Sequence, residues 1–163
     1  MTRTLLAAAL TGLLMSTTAF AAMGDKVRDI EVSMDLTAVS NAAAAARFAN
    51  VATDLQGAIA RRMAGQIDES GKRISVDISE IELSNSYSET AGMADTRLVG
   101  RIVIKDSAGS TNLETYELTI DVDQSAFYIP QTMDRAQLMA SSDLYYASMI
   151  NAFADNVVKN FNK

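Results

Sequence analysis

The sequence predicts one α+β domain: a mostly antiparallel four-stranded sheet with two helices packed on one face, in the order β-α-β-β-β-α. Three observations predict it. Four segments alternate apolar and polar residues with a period of two, as half-buried strands do. Two longer segments repeat apolar residues at spacings of three and four, as amphipathic helices do. The last three strands follow one another without a helix between them, which favours a meander with both helices on the buried face.

Residues 1–21 precede that pattern and read as a cleaved export signal. Met1-Thr2-Arg3-Thr4 is a short basic start, Leu5 to Met15 is an apolar run, and Ala19-Phe20-Ala21 has the small-x-small form that a signal peptidase accepts. The run falls short of the roughly twenty apolar residues of a membrane span. The domain is then 22–163. It carries 13 Lys and Arg against 20 Asp and Glu, a net charge of −7. Such a balance disfavours nucleic acid and anionic lipid as partners, because both demand basic patches. The chain has no cysteine. It therefore has no disulfide, and neither Ala22 nor Met23 offers a thiol for lipidation, so a soluble periplasmic protein without a stable membrane anchor is expected.

The first strand is set by Ile30, Val32, Met34 and Leu36, with Asp29, Glu31, Ser33 and Asp35 between them. From Ala42 to Ala64 the period turns helical through Phe48, Val51, Leu55, Ile59 and Met63, with Ser40 or Asn41 as cap. Arg61 and Arg62 fall in its last turn, where cations suit the helix dipole. Gly65 is the expected stop and Ser70-Gly71 a turn. The second strand, about Arg73 to Leu83, changes parity between Ile78 and Ile81. One extra residue at Ser79-Glu80, a β-bulge, produces such a flip, and a simple strand break is the alternative. Asn85 to Asp95 is polar and aperiodic, hence a loop. The third strand, Thr96 to Lys105, sets Leu98, Gly100, Ile102 and Ile104 on one face, and Asp106 to Ser110 makes the next turn. In the fourth strand, Leu113 to Val122, Tyr116, Leu118, Ile120 and Val122 point inward and Glu117, Thr119, Asp121 and Asp123 outward. Ser141-Ser142-Asp143 opens the last helix, whose stripe is Tyr146, Met149, Ile150, Phe153, Val157 and Phe161.

The outward sheet face is predicted to set Arg97, Arg101 and Lys105 of the third strand between acidic rows, Asp77 on one side and Glu117, Asp121 and Asp123 on the other. Opposite charges across strands contribute about 0.2–1 kcal/mol per pair. The plain reading is register-setting on a solvated face; an acidic docking face is the sharper one. No enzyme is expected. Without His or Cys the usual nucleophile–base and zinc constellations cannot be assembled, and carboxylates beside arginines are held ionised rather than poised to carry protons. No catalytic residue, cofactor or metal is predicted.

One segment fits neither neighbour. Phe127-Tyr128-Ile129-Pro130-Gln131-Thr132-Met133 holds the single proline, which cannot donate to a central ladder. It reads as an extended crossing between sheet and last helix, with Phe127 and Ile129 plugging the core and Tyr128 outside. The alternative is a partner-binding patch of Phe127, Tyr128, Met133 and Met139, since methionine suits tolerant binding surfaces.

Three stretches, RISVDISEIELSN (73–85), RLVGRIVIKDSAG (97–109) and LYYASMINAFADNVVKNF (144–161), taken with the signal and the element order, resemble the ABC-transport auxiliary lipoproteins and related lipoprotein-like families of Gram-negative bacteria. The resemblance implies a periplasmic accessory subunit with no chemistry of its own, and it offers no functional residues. The chain departs from those families in lacking the lipidation cysteine. The function expected is thus a non-enzymatic envelope module that binds a protein partner or a second copy of itself. A binder of a small hydrophobic or lipid-like ligand is the alternative.

Overall fold

The computed structural model describes residues 25–35, 49–82, 97–128, 132 and 142–163. Strands β1 (Val27–Met34), β2 (Lys72–Glu82), β3 (Arg97–Lys105) and β4 (Asn112–Asp121) lie side by side in that order. β1 and β2 are parallel, joined by a crossover that carries helix α1 (Val51–Arg62). β2, β3 and β4 form an antiparallel meander. Helix α2 (Ser142–Phe161) closes the order β-α-β-β-β-α, so the α+β prediction holds.

The strands owe their places to a period of two, broken in β1 by an irregularity between Val27 and Asp29. Val27, Ile30 and Val32 of β1, Ile74, Val76 and Ile78 of β2, and Leu98, Ile102 and Ile104 of β3 are buried. They face Val51, Leu55 and Ile59 of α1 and Met149, Phe153, Val157 and Phe161 of α2, all in one apolar cluster. Burying a side chain of this size contributes about 1.5–3 kcal/mol. The parity flip in β2 is the predicted bulge: the pairing with β3 shifts between Ile78 and Glu80. Gly100 is needed where it stands, because a Cβ there would lie 3.0 Å from Phe153 Cζ and from Ile78 Cδ1. The absent side chain lets the α2 aromatic seat on β3.

The first part of the predicted helix (42–48), its caps Ser40 and Asn41, and the loop 85–95 lie outside the described residues. The end of β4 requires a correction. The strand stops at Asp121, and Val122 opens a helical turn (Val122–Ser125) that runs into a 3-10 turn (Ala126–Tyr128). Asp121 explains the change. Its Oδ1 accepts the Gln124 N–H at 3.0 Å, an N-cap contact that ends the ladder and starts a helical turn. The expected extended crossing is therefore helical through Tyr128, and Val122 is not a strand residue.

Candidate interaction site

The 3-10 turn decides which aromatic is presented. With three residues per turn, Ser125 and Tyr128 share one side and Phe127 projects from another. Ser125 is fully buried and Tyr128 is anchored, while Phe127 is 91% exposed. The expectation that Phe127 plugs the core is thus overturned, because the backbone is helical rather than extended there. Tyr128 sits at the surface at 37% exposure. Ile129, Met133 and Met139 lie outside the described residues.

Tyr128 is held by a polar network that ties this turn to both helices. Its hydroxyl donates to Asp155 Oδ2, and Asp155 Oδ1 pairs with Arg62 Nε. Arg62 in turn donates from Nη1 to the Ala58 carbonyl at 3.0 Å and from Nη2 to Asn151 Oδ1 at 2.9 Å. A second link, Tyr146 to Asp54 Oδ2 at 2.6 Å, joins the same helices. Burial, reinforced by the Asp155 carboxylate, pushes the Tyr128 phenol up to about 12. Burial and Asp54 likewise raise Tyr146. At Asp155 burial opposes ionisation, but the Tyr128 hydroxyl and the Arg62 guanidinium outweigh it and hold the carboxyl below its ordinary value. At neutral pH the network is therefore a protonated phenol, a carboxylate and a guanidinium. It joins the turn after β4 to α1 and α2.

Sequence reasoning placed Arg62 at the helix C-terminus but missed its partners. The signal was available in the spacing: Asn151 and Asp155 stand four apart on α2, beside the apolar stripe, and so share a face.

The outward sheet face matches its prediction at Arg97 and Arg101 but not at Lys105, which stands opposite Arg73 and Asn112. Asp77, Arg101 and Glu117 are directly opposite one another across β2, β3 and β4, and so are Glu82, Arg97 and Asp121. Arg97 Nε also donates to Glu80 Oε1 at 2.9 Å. Asp123 belongs to the helical turn after β4, not to this face. Near the other end of the face, a depression of about 70 Å³ lies among Asp29, Glu31, Arg73, Ser75 and Lys105. Its charges are mixed and mutually compensating. Among the described residues no helix is long and apolar enough to cross a membrane.

No family model matches the chain, and no curated protein matches it. Solved structures do. A PelC dodecamer from Paraburkholderia phytofirmans matches with a TM-score of 0.42 and 10% identity, over 80% of this chain and 90% of that one. A DUF330 protein from Xanthomonas campestris gives 0.44 and 8%, over 83% and 88%. A minor lipoprotein from Acinetobacter baumannii gives 0.40 and 15%, over 83% and 92%.

Proposed function

We propose that this chain is a non-enzymatic, exported module of the cell envelope that binds a protein partner through the turn after β4. One observation carries the reading: Phe127, a large apolar side chain, is 91% exposed on a turn whose next residue is fixed to both helices. A rigidly presented aromatic offers contact area at little entropic cost on binding, which is how interface anchors work. The export signal and the acidic balance read from the sequence agree with a partner in the envelope rather than nucleic acid.

The test is site-specific photo-crosslinking in the producing cell, with the probe at residue 127 or, as control, at the exposed Ser110. A discrete adduct is expected from 127 alone, and Tyr128→Phe should weaken it by loosening the turn. The same adducts from both positions, or none from 127, would sink the proposal.

A further inference from the structure

The partner's chemistry is written on the outer strand. β4 pairs with β3 on one side, and among the described residues nothing pairs with its other side. Its side chains are open as well: of Asn112–Asp121 only Ile120 is buried, with Tyr116 and Leu118 half-buried and the remainder exposed. An unpaired strand edge offers a row of backbone donors and acceptors to any extended chain.

Charge selects which chain. β4 contains Glu114, Glu117 and Asp121 and no basic residue. Across the outward face the rungs alternate in sign: Asp77 then Arg101 then Glu117, and Glu82 then Arg97 then Asp121. The next position on each rung calls for a cation, worth a favourable cross-strand pair. A second copy supplies it poorly, since Arg28 is the one basic residue on its edge strands. β4 against β4 sets acid against acid, and β4 against another copy's β1 brings Glu117 and Asp121 towards Asp29 and Glu31. The inner row asks for the opposite chemistry, because Tyr116, Leu118 and Ile120 leave an apolar ledge beside the helix layer.

We propose that β4 receives, as a fifth strand, an extended segment of a partner protein that alternates Lys or Arg with apolar residues. The basic side chains lie beside Glu117 and Asp121, and the apolar ones continue the core beyond Leu118. This deepens the protein-binding reading and rests on it, since Phe127 stands just past the end of the same strand.

A synthetic peptide of about ten residues, the length of β4, alternating Lys with Val, is the probe. Two controls go with it: the same residues arranged as a basic block followed by an apolar block, and an alternating Glu–Val peptide. Amide hydrogen exchange of the full chain should slow along 112–121 with the alternating basic peptide alone, and stay unchanged along 27–34. Glu117→Lys combined with Asp121→Asn, which keeps an N-cap acceptor, should weaken binding roughly tenfold. Thr119→Lys, which removes no native charge, should weaken it in the same direction should the double variant fold poorly. Equal protection by the block peptide, protection of 27–34 instead, or self-association of the chain through β4 would overturn the proposal. Should no peptide protect β4 while residue 127 still crosslinks its partner, the edge assignment falls and the module reading stands.

Discussion

The two edges of the sheet are built from the same kinds of residue and end in opposite states. β1 is closed. Its Val27, Ile30 and Val32 are buried, and its start is clasped on both sides: Asp68 N–H donates to the Val27 carbonyl at 2.9 Å, and Lys72 N–H, at the start of β2, to the Lys26 carbonyl at 2.8 Å. Val27 also bridges to Ile67. β4, by contrast, buries Ile120 alone. The difference follows from connectivity. A parallel pair needs a crossover, and the helix that it carries, α1, packs on β1. No such constraint acts at a meander's last strand. The last helix α2 lies over β3 and β4, but Asn112 to Thr115 stay exposed and Tyr116 and Leu118 half-buried, so β4 is the less covered edge.

That contrast is open to direct attack. Phe153, fully buried and seated on Gly100, belongs to the covered part of the sheet. Phe153→Ala should cost about 3–5 kcal/mol in urea unfolding. Leu118→Ala on the half-open inner face of β4 should cost only about 1 kcal/mol, because less surface returns to water. Equal losses would mean that β4 is as well covered as β3. The next effect tests the clasp. A Cβ on Gly71 would stand 2.6 Å from the backbone of Lys26 and Val27, which no side-chain movement relieves, so Gly71→Ala should cost about 2–3 kcal/mol. Gly65→Ala meets nothing within 4 Å and should stay within about 0.5 kcal/mol of the parent. If Gly71→Ala proves equally silent, β1 is held by its side chains and not by the clasp.

The sequence made much of this visible for one reason: period-two patterns report parity. The flip between Ile78 and Ile81 disclosed the bulge, and the charges at Asp77, Arg101 and Glu117 disclosed which residues share an outward rung. Parity reports the facing of a side chain but not how much lies above it. Tyr116 and Leu118 have the right phase for a core and are still half-buried, because cover depends on where helices settle. The alternation also ran on through Val122 and Asp123 although the strand had ended, since a cap at Asp121 outweighs two residues of pattern. Phe127 was misplaced for a related reason. An extended backbone would have turned it inward, whereas a 3-10 turn gives that side to Ser125 and Tyr128. Hydrophobicity alone does not put a residue inside. The Arg62–Asp155–Tyr128 network joins three distant segments, and no local spacing brings them together.

The smallest effect concerns how each edge answers to pH. The clasp on β1 is made of backbone hydrogen bonds, while the turn beyond β4 hangs on Tyr128 and Asp155. Tyr128, raised to about 12 in the fold from an ordinary 10.0, contributes stability that is whole below pH 10 and lost as pH climbs towards 12. Asp155 is shifted the other way, below 3.8; its contribution is present above that pH and lost as pH falls through the lowered value. Tyr128→Phe should therefore cost about 1 kcal/mol or less at neutral pH, since the pair is partly exposed. The gap between parent and variant should close above pH 10, and one late-titrating phenol should vanish from the absorbance titration. In acid, amide exchange at 125–128 should quicken before exchange at Lys72. Were Lys72 to open first, the covered edge would be the weaker of the two, and the asymmetry that assigns β4 to a partner would lose its energetic basis.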